Sequence, residues 1–217
     1  MGFNPEKDAE QKAATIQKIL EAGFHIFAER TIEQVKMTDV ADAAGIGVAT
    51  VYRHFTNKPR LVVAVSVWAW ERYLKSQNAQ QPEGGTAAED FAFFLDSFLD
   101  LYRNHRDILR FNQFFNVYVQ SEEIPMEQME PYMLMIRHLI DQFHKIYAKG
   151  QADATLCTEM SEQEMFATVI HLMLAAVTRY AVGLVYTDGS DPERELLFLR
   201  DMLTDRFTPR NNSQNRT

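Results

Sequence analysis

The chain has 217 residues, a net charge of −8 and 46% hydrophobic residues, which is enough apolar material for the cores of one or two domains. Its single cysteine, Cys157, excludes an internal disulfide framework and suits a reducing compartment. The opening MGFNPEKDAEQK has no apolar h-region, and the longest uncharged run, between Glu164 and Arg179, is short of the roughly 20 residues of a membrane helix. The expected location is the cytoplasm, with no membrane partner.

The charge is unevenly spread. Residues 1–65 carry eight Lys/Arg and eight Asp/Glu, so the whole deficit lies in the remainder. Within the neutral part, Arg53, Lys58 and Arg60 cluster, and local charge rather than the total decides phosphate attraction.

In chain order, residues 1–11 are polar and expected to fray. From Lys12 to Arg30, Ile16, Ile19, Leu20, Gly23, Phe24 and Phe27 recur at helical spacing and predict a first helix. Thr31 to Lys36 reads as a connector. Met37 to Leu61 then reads as two short helices around a tight turn. Thr38 is the expected N-cap of the first, with Asp39 in its first turn and Val40, Ala41 and Ala44 on its apolar side. Gly45 supplies a left-handed terminator. Gly47 opens the second helix, Val48 to Phe55, with Val51 and Phe55 inward. Ala49, Thr50, Tyr52, Arg53 and His54 are left outward, groups of the kind that meet a DNA groove. A fourth helix is expected from about Pro59 to Asn78, and AQQPEGGT is a loop.

Further helices follow at 87–104, 106–120 and 128–149. A polar loop covers 150–158. The Ser161/Glu164 capping box opens a long helix to about Tyr186, and Asp191-Pro192 starts the last one. No alternating strand pattern is present, so the predicted class is all-α, with about nine helices. The predicted division is a three-helix helix-turn-helix head over 1–58 and a helical body over 59–217, the fourth helix linking them and a disordered tail from about 208.

The run DVADAAGIGVATVYRHFTNKPRL, preceded by ILEAGFHIFAER, resembles the tetracycline-repressor (TetR) family of bacterial transcriptional regulators. Ala44-Gly45, Thr50, Val51-Tyr52, His54-Phe55, Lys58 and Leu61 carry the resemblance, which spans about 50 residues. It implies a homodimer on a pseudo-palindromic double-stranded operator, acting as a repressor released by a small apolar or amphipathic ligand held in the helical body. The implied DNA-binding residues are Thr38, Gly47, Val48, Ala49, Thr50, Tyr52, Arg53, His54 and Lys58. Thr38, Lys58 and the Gly47 backbone are placed on phosphates. The family usually has serine or threonine where Gly47 stands, so only a backbone N–H serves there.

The body is rich in aromatics, nine of them between Phe91 and Tyr118, and seven of the ten methionines lie between Met126 and Met173. These fill a core as readily as they line an adaptable cavity. The ligand-binding candidates are Phe98, Tyr102, Phe114, Tyr118, Met133, His171 and Tyr180, although a histidine bonded to backbone also fits His171. The last two helices carry wide apolar faces, and in this family two such helices per subunit form a four-helix dimer bundle. The expected interface residues are Phe166, Val169, Met173, Val177, Leu196, Leu199 and Leu203. No hydrolase elbow, phosphate loop or zinc-spaced motif is present, so no enzyme activity, cofactor or metal is expected. Two alternatives stay open: a ligand-independent DNA-binding protein with the same head, and a small-molecule carrier or enzyme with a vestigial head.

Overall fold

A computed structural model describes residues 5–183, 189 and 191–209. Among them every regular element is helical. They are α1 Pro5–Glu29, a 3₁₀ turn Ile32–Gln34, α2 Met37–Ala43, α3 Val48–His54, α4 Lys58–Asn78, α5 Ala87–Asn104, α6 Arg106–Ser121, α7 Met126–Asp153, α8 Glu162–Ala181 and α9 Pro192–Phe207. This is the all-α class with nine helices read from the periodicity. No described helix is long and apolar enough to cross a membrane.

Two boundaries differ from expectation. The polar start is helix from Pro5, not frayed chain, with Glu6 and Asp8 set against the positive end of the helix dipole. Helix α7 runs into the predicted loop as far as Asp153. It ends on Ala154 in the left-handed region (φ 57°) rather than on a glycine. Gly150 serves packing instead, since a Cβ there would stand 2.7 Å from Leu156. The end of the expected eighth helix at Leu184–Tyr186 and the tail from 210 lie outside the described residues.

Side chains close the helix ends. Ser161 and Glu164 form the predicted box, the serine N–H donating to the glutamate at 3.2 Å. Thr86 and Glu89 form a second one, which the sequence reading missed. Beside it, Asp153 accepts from the Ala87 N–H at 2.8 Å, and the Thr155 hydroxyl accepts from Ala88 at 3.0 Å, so the start of α5 is fully capped.

The chain forms two compact units, Met1–Tyr73 with Arg110–Met135, and Leu74–Leu109 with Ile136–Thr217. This partition does not follow the 58/59 boundary, because residues beyond 58 pack on α1. The Trp68 ring lies 5.8 Å from Phe24, and its indole N–H donates to Gln17 at 3.0 Å. From α6, Phe111 lies 5.7 Å from Phe24 and 6.4 Å from Phe27, with Phe115 stacked behind it at 6.0 Å. Gly23 lets the helices approach closely here, since a Cβ would come within 3.1 Å of Val65 and the valine would have to give way.

In the second unit, Phe91 sits between Phe143 (6.5 Å) and Phe207 (5.8 Å). Met165, Val169, Met173 and Val177 recur every fourth residue on the inward face of α8 and are fully buried. Lys149 pairs with Asp90 at 2.6 Å.

Candidate nucleic-acid interface

Helix α2 starts one residue before the expected cap. Its N-cap is Lys36, whose N–H donates to the Asp39 carboxylate at 2.8 Å. Thr38 therefore lies inside the first turn with an exposed side chain and caps nothing. At the other end, Gly45 adopts φ 66°, its N–H bonds the Asp42 carbonyl at 3.1 Å, and the Ile46 N–H bonds Ala41 at 3.0 Å. That pair of bonds is a Schellman termination. A Cβ on Gly45 would touch nothing, so the glycine is needed for its backbone alone.

Gly47 is the N-cap of α3 in extended conformation, and its carbonyl accepts from Thr50 at 2.8 Å. The helix anchors itself through Val51, which is 0% exposed. Its other side presents Ala49, Tyr52 and Arg53 as exposed side chains, Tyr52 at 50%, with Val48, Thr50 and His54 half-buried. Phe55, expected to be inward, is half-buried at the C-cap. His54 does not add a cation at neutral pH. Its own burial, then Arg53 and Lys12, hold its pKa below the ordinary histidine value.

Lys58 is placed differently from the expectation. Its Nζ donates to the Glu33 carbonyl at 3.2 Å and lies 5.4 Å from the centre of the Tyr118 ring. Burial draws its pKa down against the opposing pull of Glu33, Glu122 and Asp39. The adjacent helix start is also occupied, since the Asn57 side chain accepts from the Arg60 N–H at 3.0 Å. The Asn57 signal was readable in the sequence, an asparagine two residues ahead of Pro59, and was missed. Arg60 faces Glu127 at 3.8 Å, which blunts the cation cluster.

The ligand-binding candidates do not gather as one set. Phe98 and Tyr102 are buried in the second unit, where the Tyr180 ring stands 6.3 Å from Tyr102 and its hydroxyl bonds Glu195. The Arg106 guanidinium lies 4.3 Å over the Tyr102 ring. Phe114, Tyr118 and Met133 belong to the first unit. Tyr118 is committed to Lys58, and burial with Glu122 and Glu33 pushes its hydroxyl up to about 12. His171 is exposed, which does not suit a cavity residue.

The interface candidates need a similar correction. Val169, Met173, Val177, Leu196 and Leu203 are buried within their own chain, leaving no surface for a partner, while Phe166 and Leu199 are half-buried. The large apolar residues left exposed on α8 and α9 are Leu172, Phe198 and Met202.

Two short helices around a left-handed glycine, the second anchored by one valine and presenting polar groups outward, are a helix-turn-helix, and they define the chain as a DNA-binding protein. Residues 19–65 match the family model of bacterial regulatory proteins of the tetR family. An HTH-type transcriptional regulator of Bacillus subtilis (strain 168) is 21% identical over 193 residues, covering 87% of this chain and 93% of its own. The fold extends to solved structures. A transcriptional regulator from Saccharomonospora viridis in complex with choline superposes with a TM-score of 0.73 at 16% identity, over 91% of this chain and 100% of that one. The regulator FadR from Bacillus subtilis in complex with stearoyl-CoA gives 0.70 at 15% identity, over 87% and 97%. Residues 19–65 thus carry a tetR-type DNA-binding head, and the chain is a DNA-binding transcriptional regulator.

Proposed function

We propose that the chain is a homodimeric, cytoplasmic repressor that holds a pseudo-palindromic duplex operator and releases it when a small ligand binds among the helices of its body. The observation that carries this reading is the one-sidedness of α3, with Val51 fully buried and Tyr52 half exposed one residue later. Ala49, Thr50 and Tyr52 are assigned to the groove. Thr38 and the Gly47 N–H are assigned to phosphates. Val48 and His54 flank them, and a methyl from Ala49 or Thr50 suits a thymine. Lys58 is assigned to holding the head together rather than to a phosphate, because its ammonium already has partners.

One copy offers few cations to DNA, so two reading helices about one helical turn apart are needed for useful affinity. The face we assign to the partner copy is centred on Leu172, Phe198 and Met202. The choline and stearoyl-CoA complexes of the structural neighbours support a small-molecule effector, with Phe98, Tyr102 and Tyr180 the residues assigned to it here. Such an effector acts only if it binds one arrangement of the dimer better than the other. The relatives are regulators, and no catalytic role is assigned.

The test is equilibrium binding to a duplex that the wild-type protein selects from a random library, followed by addition of choline and of a long-chain acyl-CoA. The reading expects two chains per duplex and release by an effector that also raises the melting temperature. Retention of no duplex at low salt would overturn it. Sequence-selective binding with no thermal response across apolar and cationic compounds would leave a regulator without a ligand.

A further inference from the structure

Helix α1 changes character along one face. Ile19, Gly23 and Phe27 are buried, but the same face continues toward the N-terminus as Thr15, Lys12 and Asp8. Together with Gln11 and the half-buried Ile16 at its floor end, these residues line an open groove whose other residues are Arg53 and His54, from the last turn of α3. Lys12 lies near enough to His54 to act on its proton affinity. Among the described residues, no ion pair involves Lys12 or Arg53.

We propose that this groove is a phosphate site on the DNA-binding face: Lys12 and Arg53, brought together from α1 and α3, grip the backbone of the strand beside the groove that α3 reads. The proposal rests on the helix-turn-helix reading of α3. Arg53 leaves the reading helix at its C-terminal end, beside the base-contacting face, where backbone lies when the helix is in the major groove. Lys12 supplies a second charge from a rigid neighbour. The site adds affinity and register without sequence information. Asp8 opposes it from the same groove and tempers non-specific binding.

The experiment uses the full-length protein with two probes, the duplex selected by the wild type and a mixed-sequence duplex, titrated across salt concentrations. Lys12 and Asp8 are exposed helix positions, so Lys12→Ala and Asp8→Asn should both fold, as circular dichroism checks. Lys12→Ala is expected to weaken both duplexes by a similar factor, about 3- to 10-fold, and to make the log–log salt slope shallower by about 0.9, the release belonging to one phosphate. Asp8→Asn is expected to tighten both. An unchanged slope in Lys12→Ala, or weaker binding in Asp8→Asn, would overturn the proposal. If the wild type binds the selected duplex and Tyr52→Ala does not, while Lys12→Ala behaves as wild type, the phosphate site fails and the reading helix stands. If the wild type binds neither duplex, the reading helix itself fails.

Discussion

Helix α3 and helix α8 solve the same problem in opposite ways. Seven residues long, α3 is held by one fully buried valine and by the turns around it, so most of its side chains remain outside. The 20-residue α8 directs a fully buried residue inward at every fourth position, and one large apolar side chain on it, Leu172, is left exposed. A short helix fixed by turn chemistry keeps its surface for recognition. A long helix fixed by burial uses its most apolar residues on its own fold. The side chains that hold α8 in place are therefore not those available to a partner.

That contrast breaks most visibly if the two apolar sets on α8 and α9 are exchanged. Met173→Ala removes a fully buried side chain and should cost about 2–5 kcal/mol of stability in denaturant unfolding, with the proposed dimer still formed at high protein concentration. Phe198→Asp, at a position 66% exposed, should instead raise the dimer dissociation constant by tenfold or more, about 1.4 kcal/mol, read by sedimentation. If Phe198→Asp stays dimeric and Met173→Ala dissociates without losing stability, the assignment of the two faces is reversed.

A smaller effect sharpens the other side. Gly45→Ala places a Cβ in open space but in the left-handed region, so only backbone strain of about 1–2 kcal/mol is expected. It should appear as a lower unfolding midpoint, with the α3 anchor Val51 unaltered. No change would mean that the turn tolerates a side chain.

The smallest expected effect is the pH response of His54. Its folded pKa lies below the unfolded value of about 6.5, so the unfolded chain takes up its proton first as pH falls. The stability His54 helps set is complete above that value and declines below it. His54→Gln should flatten the fall in unfolding midpoint between pH about 7.5 and about 5.5. An equal fall in both proteins would place the response elsewhere.

What the sequence made readable follows the same division. The Gly45 turn, the inward Val51 and the Ser161/Glu164 box depend on residues within a few positions of one another, and local chemistry is enough to place them. The partners of Lys58 were not readable. They are a carbonyl 25 residues upstream and a ring on α6, and only the folded first unit brings them together. The same holds for Val169 and Met173. Periodicity marked them as apolar and on one face, but not which surface, their own chain's or a partner's, that face would meet. The groove between α1 and α3 is not legible in the sequence, because the polar residues before Lys12 carry no helical periodicity of their own, yet they form the first turns of α1.

The central claim is that the outward face of α3 reads DNA, and Tyr52→Ala tests it most directly against wild type on the selected duplex at matched salt. The account predicts a loss of about 1–3 kcal/mol in operator binding, roughly 5- to 150-fold, with the salt slope, the dimer and the unfolding midpoint unchanged. Equal affinity of the two proteins for that duplex would contradict it.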